Sequence, residues 1–308
     1  MTTLNRLEFG YFPRPLDISS GPITVCQLAN LALTVANIEG DDQVEDGWIY
    51  AGRQFVRSLN GKVQQHPYSA RIFGLPNTHL ITHASSQGQD HLTFHLWSLS
   101  FFTGMRLTAT KAGFVDATPI KPGTLVDFVM TDRGLSDALA LAEDFWATYQ
   151  STPRCAKLLA AAVHALFLSL NPQHLQFERF MLSYTAIDAC FKLAKEIKNH
   201  SKEIPHDKRV KWICDQFNLP TPDWANPARI DPGTEISMLR NATMHDALFM
   251  DEPLGFALHG IGTDRNLPLE MQALVCRLVV ALLGAGSNDY VDSSVSTRQI
   301  YGLSLAMP

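Results

Sequence analysis

The chain has 308 residues, of which 46% are hydrophobic and 18% charged, with a net charge of -5. A chain of this length buries a full core without disulfides or metals and suits two modest domains. The acidic balance excludes wholesale electrostatic binding to nucleic acid, which needs a basic surface, so any such contact must come from a local patch.

Cys26, Cys155, Cys190, Cys214 and Cys276 form no CxxC pair, and four of them fall in apolar helical stretches. They read as reduced core thiols of a cytoplasmic protein. The start, MTTLNRLEFG, has no apolar run behind a basic end. Residues 158–170, the longest apolar run, are too short to span a bilayer, so no membrane association is expected.

Taken in chain order, residues 1–132 read as a β-rich domain. Short apolar stretches, such as GPITVCQLANLALTVANI, GWIYAGRQFV and HLITHA, alternate with turn signals, such as GLPN, SSQGQD and KPGT. Residues 91–104 (HLTFHLWSLSFFTG) read as a helix between an N-cap at Asp90 and a C-cap at Gly104. Strands are expected after it at 106–115 and 124–130.

Near residue 133 the apolar period changes from 2 to 3.6. In LSDALALAEDFWATYQ, Leu135, Leu139, Ala142, Trp146 and Tyr149 share one helical face. Pro153 separates this helix from a buried one at 155–170, and Asn171-Pro172 breaks the chain again. Helices are then expected at 173–198, 206–219, 234–249 and 267–283, with a Pro-rich loop at 219–233. The fold class is therefore α+β, with a β-rich domain (1–132), a helical bundle (133–286) and a polar, loosely held C-terminal tail (287–308).

The helix TEISMLRNATMHDALF carries the candidate chemistry. Ile236, Leu239, Thr243 and Ala247 form its buried stripe, while Asn241 and His245 lie one turn apart on another side, flanked by Arg240. An imidazole moves protons near neutral pH. A guanidinium offers a planar fork of donors for phosphate oxygens. Together they suit attack of an RNA 2′-OH on its own phosphodiester without a metal, the Arg stabilising charge on the phosphoryl group. Arg240 and His245 are about 140° apart on an ideal helix, which favours a cleft shared between two copies.

On these residues the C-terminal half, 155–283, resembles the HEPN superfamily of helical bundles. Its motif is an Arg, a polar residue, then a His after four to six residues from the Arg, and Arg240, Asn241 and His245 match it. A long helix with an early Phe-Glu and a later acid (Glu178 and Asp188 in FERFMLSYTAIDAC) precedes the motif, and an apolar helix ending in Leu-Leu-Gly follows. A β-rich region ahead of such a bundle also resembles the layout of uncharacterised bacterial HEPN proteins.

The resemblance implies a metal-independent endoribonuclease that binds RNA as a homodimer in toxin–antitoxin or anti-phage (antiviral) defence, with an antitoxin or phage-derived trigger as further partner. By it, His245 transfers the proton, Arg240 stabilises the phosphoryl charge and Asn241 positions the phosphate or His245. Asp188 or Glu178 orients the site or belongs to a surface ion pair. Neither a cofactor nor a metal is called for. The competing expectation is a non-catalytic HEPN dimerisation or docking module with a sensing N-terminal domain. Exposure and convergence of Arg240 and His245 discriminate the two.

Other clusters carry less. His79, His83, His91 and His95 are spaced H-x3-H-x7-H-x3-H. A hairpin over 78–97 would set the outer and inner pairs opposite each other, and a helix would put His91 and His95 on one face. With only Asp90 to complete a ligand set, the pattern reads as incidental. Gly52, Gly61 and Lys62 lack the spacing of a phosphate-binding loop, and Arg53, Arg57 and Lys62 read as a solvated face. His206, Asp207, Lys208 and Arg209 read as a solvated helix start.

Overall fold

The structure is a computed structural model that describes residues 5–69, 74–109, 117–227, 233–245, 266–295 and 299–305. Its elements, in chain order, begin with β1 (Arg6–Phe9), β2 (Ile18–Ser20), β3 (Ile23–Gln27), α1 (Leu31–Glu39), β4 (Val44–Glu45) and β5 (Trp48–Ile49). Then come β6 (Arg53–Arg57), β7 (Val63–Ser69), β8 (His79–His83), α2 (Gln89–Thr103), β9 (Thr118–Pro119) and β10 (Phe128–Val129). The remainder comprises α3 (Asp132–Tyr149), α4 (Pro153–Ser169), α5 (Gln176–Ile197), α6 (His206–Phe217), α7 (Glu235–His245), α8 (Leu267–Leu283), α9 (Asp289–Asp292) and β11 (Tyr301–Gly302). The fold is mixed α+β. Among the described residues no helix is long and apolar enough to cross a membrane.

Two compact units partition the chain. The first holds residues 1–125, 131–140 and 171–173, and the second holds 126–130, 141–170 and 174–308. The change of periodicity near 133 thus marks the start of α3, and the partition runs through that helix.

In the first unit, a four-stranded sheet has the order β1-β8-β3-β2, with every neighbouring pair antiparallel. Side chains alternate across a strand, so β8 turns His79, Ile81 and His83 to the buried face. Phe9, Ile23 and Val25 join them in the core. The helix α2 packs against β8 and ends as expected: Gly104 takes the left-handed conformation (φ 60°), and the amides of Gly104 and Met105 close back on Phe101 and Ser100. Its N-cap is Gly88, with Asp90 in the first turn.

Two expectations fail here. LALTVANIE, read within an apolar β stretch, is the helix α1, because it continues helically after the turn at Asn30. The strand expected at 124–130 shortens to the two residues of β10. Of the strand expected at 106–115, Thr108 makes one bridge to Gly10, and 110–115 lie outside the described residues. The basic residues Arg53, Arg57 and Lys62 are solvated on the β6–β7 hairpin, beside exposed Phe55, Val56 and Val63.

His79 is completely buried, stacked on Phe9 at 5.6 Å between ring centroids. Burial lowers its pKa from 6.5 to about 4, against weaker upward pulls from the Arg14 backbone and Asp17. In the unfolded chain the ring titrates normally, so between these two values the unfolded state binds the extra proton. Stability contributed by neutral His79 is present above pH 6.5 and is lost as pH falls toward 4. At pH 5 this amounts to about 2 kcal/mol, since one unit is ~1.4 kcal/mol. Urea titrations at pH 7 and pH 5 check it: His79→Phe is expected to flatten the loss by that amount. An unchanged pH slope would show that another group sets it.

The second unit is a helical bundle. Its α8 is buried from Met271 to Leu283 and packs against α4 and α5, while α4 lies along α5. The four cysteines expected in the core, Cys155, Cys190, Cys214 and Cys276, are buried there, and Cys26 of the first unit is exposed. Arg277 is the charged residue within that buried stretch. It is 1% exposed and bonds Asp127 at 2.7 Å, the Ser293 carbonyl at 3.1 Å and the Ala273 carbonyl at 2.8 Å. Its guanidinium also lies over the rings of Tyr290 and Tyr301. Asp127 in turn accepts from the Tyr290 hydroxyl.

This network corrects the expectation of a loose tail after Gly284. Tyr290 and Val291 are buried, and β11 pairs in parallel with β10. A polar-looking segment is held because it supplies the partners that a buried cation requires.

Candidate active site

The site lies in the second unit, on α5, α6 and α7. The start of α7 is fixed by a reciprocal pair: the Ser237 hydroxyl accepts from the Thr234 amide at 3.1 Å, and Thr234 Oγ1 accepts from the Ser237 amide at 3.3 Å. This arrangement satisfies amides that have no partner within the helix. Ile236 and Thr243 anchor the inner face as expected, and Leu239 is half-buried. Ala247 and the helix expected beyond His245 lie outside the described residues.

On the outer side, Arg240 Nη1 lies 3.0 Å from Asn241 Oδ1 and 3.0 Å from His245 Nε2. Asn241 and His245 are exposed and Arg240 is half-buried. The three predicted residues therefore meet within one chain. The 140° separation on the helix is spanned by the long Arg stem, so convergence does not require a second copy. In this contact the guanidinium donates and His245 Nε2 accepts, so the imidazole nitrogen that would take a proton is covered by Arg240.

Sequence reasoning missed the neighbours. Tyr184 of α5 and His206 of α6 share a hydrogen bond of 2.7 Å between Oη and Nδ1. The Arg240 charge acts on both groups. Burial pushes the Tyr184 hydroxyl up to about 12, reinforced by Asp188 and opposed by Arg209 and Arg240. Burial, then Arg209 and Arg240, hold His206 below its usual range, against the pull of Asp188. Burial thus disfavours the charged form of both partners of this hydrogen bond. The available signal was the stripe Tyr184, Asp188, Lys192, at intervals of four residues on α5.

Asp188 is an ion-pair residue. It binds Arg209 at 2.6 Å and Lys192 at 2.7 Å. Glu178 belongs to the helix start, where its carboxylate accepts from the Leu175 amide at 2.8 Å. Among the described residues, neither acid bonds to Arg240 or His245. Arg209, Arg240 and Lys192 all act on His206 against the opposing pull of Asp188, so its surroundings are locally positive on an acidic chain. Such a patch attracts phosphate.

Comparison with protein-family models, with curated proteins and with solved structures finds no match to this chain. What defines the molecule is thus its own geometry: an α+β protein whose helical unit presents an Arg–Asn–His cluster on an open helix face.

Proposed function

We propose that the second unit is a HEPN-like, metal-independent endoribonuclease, and the observation that carries this is the convergence of Arg240, Asn241 and His245 on exposed surface. A non-catalytic bundle has no need to hold an imidazole and a guanidinium together in solvent. On this reading an RNA phosphate takes over the Arg240 fork, which frees His245 Nε2. His245 then removes the 2′-OH proton, the 2′ oxygen bonds to phosphorus, and the bond to the 5′ oxygen breaks. The leaving oxygen takes a proton from water, and the proton on His245 returns to solvent. Arg240 stabilises the charge on the phosphoryl oxygens. Single-stranded RNA supplies the flexible backbone that in-line attack requires.

The test is cleavage of a single-stranded RNA by purified protein in EDTA. Products ending in 2′,3′-cyclic phosphate and 5′-OH are expected, because the chain's own Arg and His supply the charge stabilisation and proton transfer. Products ending in 3′-OH, or cleavage by His245→Ala at the wild-type rate, would overturn the assignment.

The same reading includes a homodimer. Met238 and Met244 are 53% and 52% exposed on α7, adaptable apolar surface next to the site. Light scattering at micromolar concentration is expected to give twice the chain mass, and Met238→Asp with Met244→Asp to give monomers. A monomeric wild type would remove the dimer from this reading and leave the single-chain site standing. The resemblance that motivates the proposal sets such an enzyme in toxin–antitoxin or anti-phage defence, held or released by an antitoxin or a phage-derived trigger.

A further inference from the structure

Three imidazoles converge in the first unit, outside the site just described. His83 ends β8, and His91 and His95 sit one turn apart on α2, the helix packed against that strand. All three are buried: 1%, 2% and 0% exposed. Ring centroids are 4.4 Å apart for His83 and His91, 5.7 Å for His83 and His95, and 4.9 Å for His91 and His95. One ring nitrogen from each lies within 4.8 Å of the others.

The fold builds this cluster by two periodicities. The alternation of β8 turns His83 inward along with Ile81, and the four-residue interval on α2 stacks His91 and His95 on the side that meets it. The fourth histidine of the sequence pattern is excluded. His79 is four residues earlier on the strand, stacked on Phe9 and bonded to the Thr78 hydroxyl at 2.9 Å. The hairpin arrangement that would pair all four does not occur, because residues 89–103 are helical.

We propose that His83, His91 and His95 form a binding site for a zinc-class transition metal ion. Imidazole nitrogen is a preferred ligand for such ions, and three of them fill three of the four tetrahedral positions. Zinc–nitrogen bonds of about 2.0–2.1 Å bring the three nitrogens closer together than 4.8 Å, a contraction that small ring rotations supply.

The backbone amides beside the rings make a specific demand. The Ser85 amide points to His83 Nδ1 at 3.1 Å, and the Gln87 amide points to His91 Nδ1 at 3.3 Å. A ring that accepts at Nδ1 carries its proton on Nε2. Loading a metal on Nε2 moves that proton to Nδ1, so both amide contacts are given up and the turn between β8 and α2 adjusts.

The inference does not rest on the nuclease reading, because it concerns other residues and is read as metal content rather than cleavage. The experiment uses the full chain, expressed with zinc supplied and dialysed free of excess, and measures metal by mass spectrometry. About one zinc per chain is expected. Chelator-stripped protein is expected to take up Co(II) with the visible absorption of a tetrahedral centre. His91→Ala and His95→Ala are expected to lose at least nine-tenths of the metal, while His79→Phe and exposed His164→Ala retain it. Should the alanine variants fail to fold, X-ray absorption on the zinc-loaded wild type decides: three imidazole ligands support the site, and their absence refutes it. A wild type that binds neither zinc nor cobalt, or a folded His95→Ala variant with the wild-type zinc content, would also overturn the proposal.

Discussion

On the proposed nuclease reading, alanine at position 245 is expected to slow RNA cleavage by about 10²–10⁴-fold, the usual contribution of a positioned acid–base group, and to leave the fold intact. His245 is exposed at the end of α7, so its removal opens no cavity. The unfolding free energy should therefore change by no more than about 0.5 kcal/mol, the range typical of surface substitutions. Arg240→Ala is expected to cost about 10²–10³-fold, as loss of a donor aimed at developing charge does. Arg240→Lys should recover little of this. An ammonium is a point charge and cannot hold Asn241 and His245 through one planar group while offering further donors to a phosphate. The double variant His245→Ala with Arg240→Ala should be less impaired than the product of the two single losses, since the residues act as a unit. Initial rates on one labelled RNA, paired with thermal melts, check all four statements. Full activity in Arg240→Ala would remove the guanidinium from the mechanism even if His245 stayed essential.

The largest expected change in stability lies elsewhere, at Arg277. Arg277→Ala should lower the unfolding free energy of the second unit by about 3–5 kcal/mol, the cost of removing one partner of a buried ion pair. The loss has several parts. Asp127 and the carbonyls of Ala273 and Ser293 lose their donor, and the rings of Tyr290 and Tyr301 lose the cation they cover. Replacing both members of the pair, Arg277→Met with Asp127→Asn, should be milder than Arg277→Ala alone, because no buried charge is then left unmatched. Urea unfolding gives the comparison through the shift in midpoint. A loss below about 1 kcal/mol, the scale of an exposed pair, would mean that water replaces the guanidinium.

The helices of the second unit were legible in the sequence because their signals are local. Pro153, Asn171-Pro172 and the apolar period fix α4 and α5, and Gly284 ends α8 in the left-handed conformation. The Arg240-Asn241-His245 grouping was legible for the same reason, since all three share α7. What escaped was set by partners distant in sequence. Arg277 stands with Glu270 and Gln272 in an otherwise apolar helix, and nothing near it in sequence announces Asp127, 150 positions earlier. Nothing beside Tyr184 in sequence announces His206, 22 positions later, which α6 brings to its hydroxyl. The histidine pattern at 79–95 revealed a spacing but not its geometry. A hairpin and a strand–helix pair both satisfy that spacing, and only the second separates His79 from the other three.

The closure of the second unit by its last residues has a kinetic side. Asp127 and Tyr290 bond across 163 positions, and at roughly 5–20 residues per second a ribosome needs about 8–30 s to make that stretch. For most of that interval α8 itself has not been made, and Asp127 waits for the guanidinium and the hydroxyl that it accepts from, so this network closes only once Tyr290 has been added. A nascent chain stalled before Tyr290 should consequently remain a chaperone client rather than a folded intermediate.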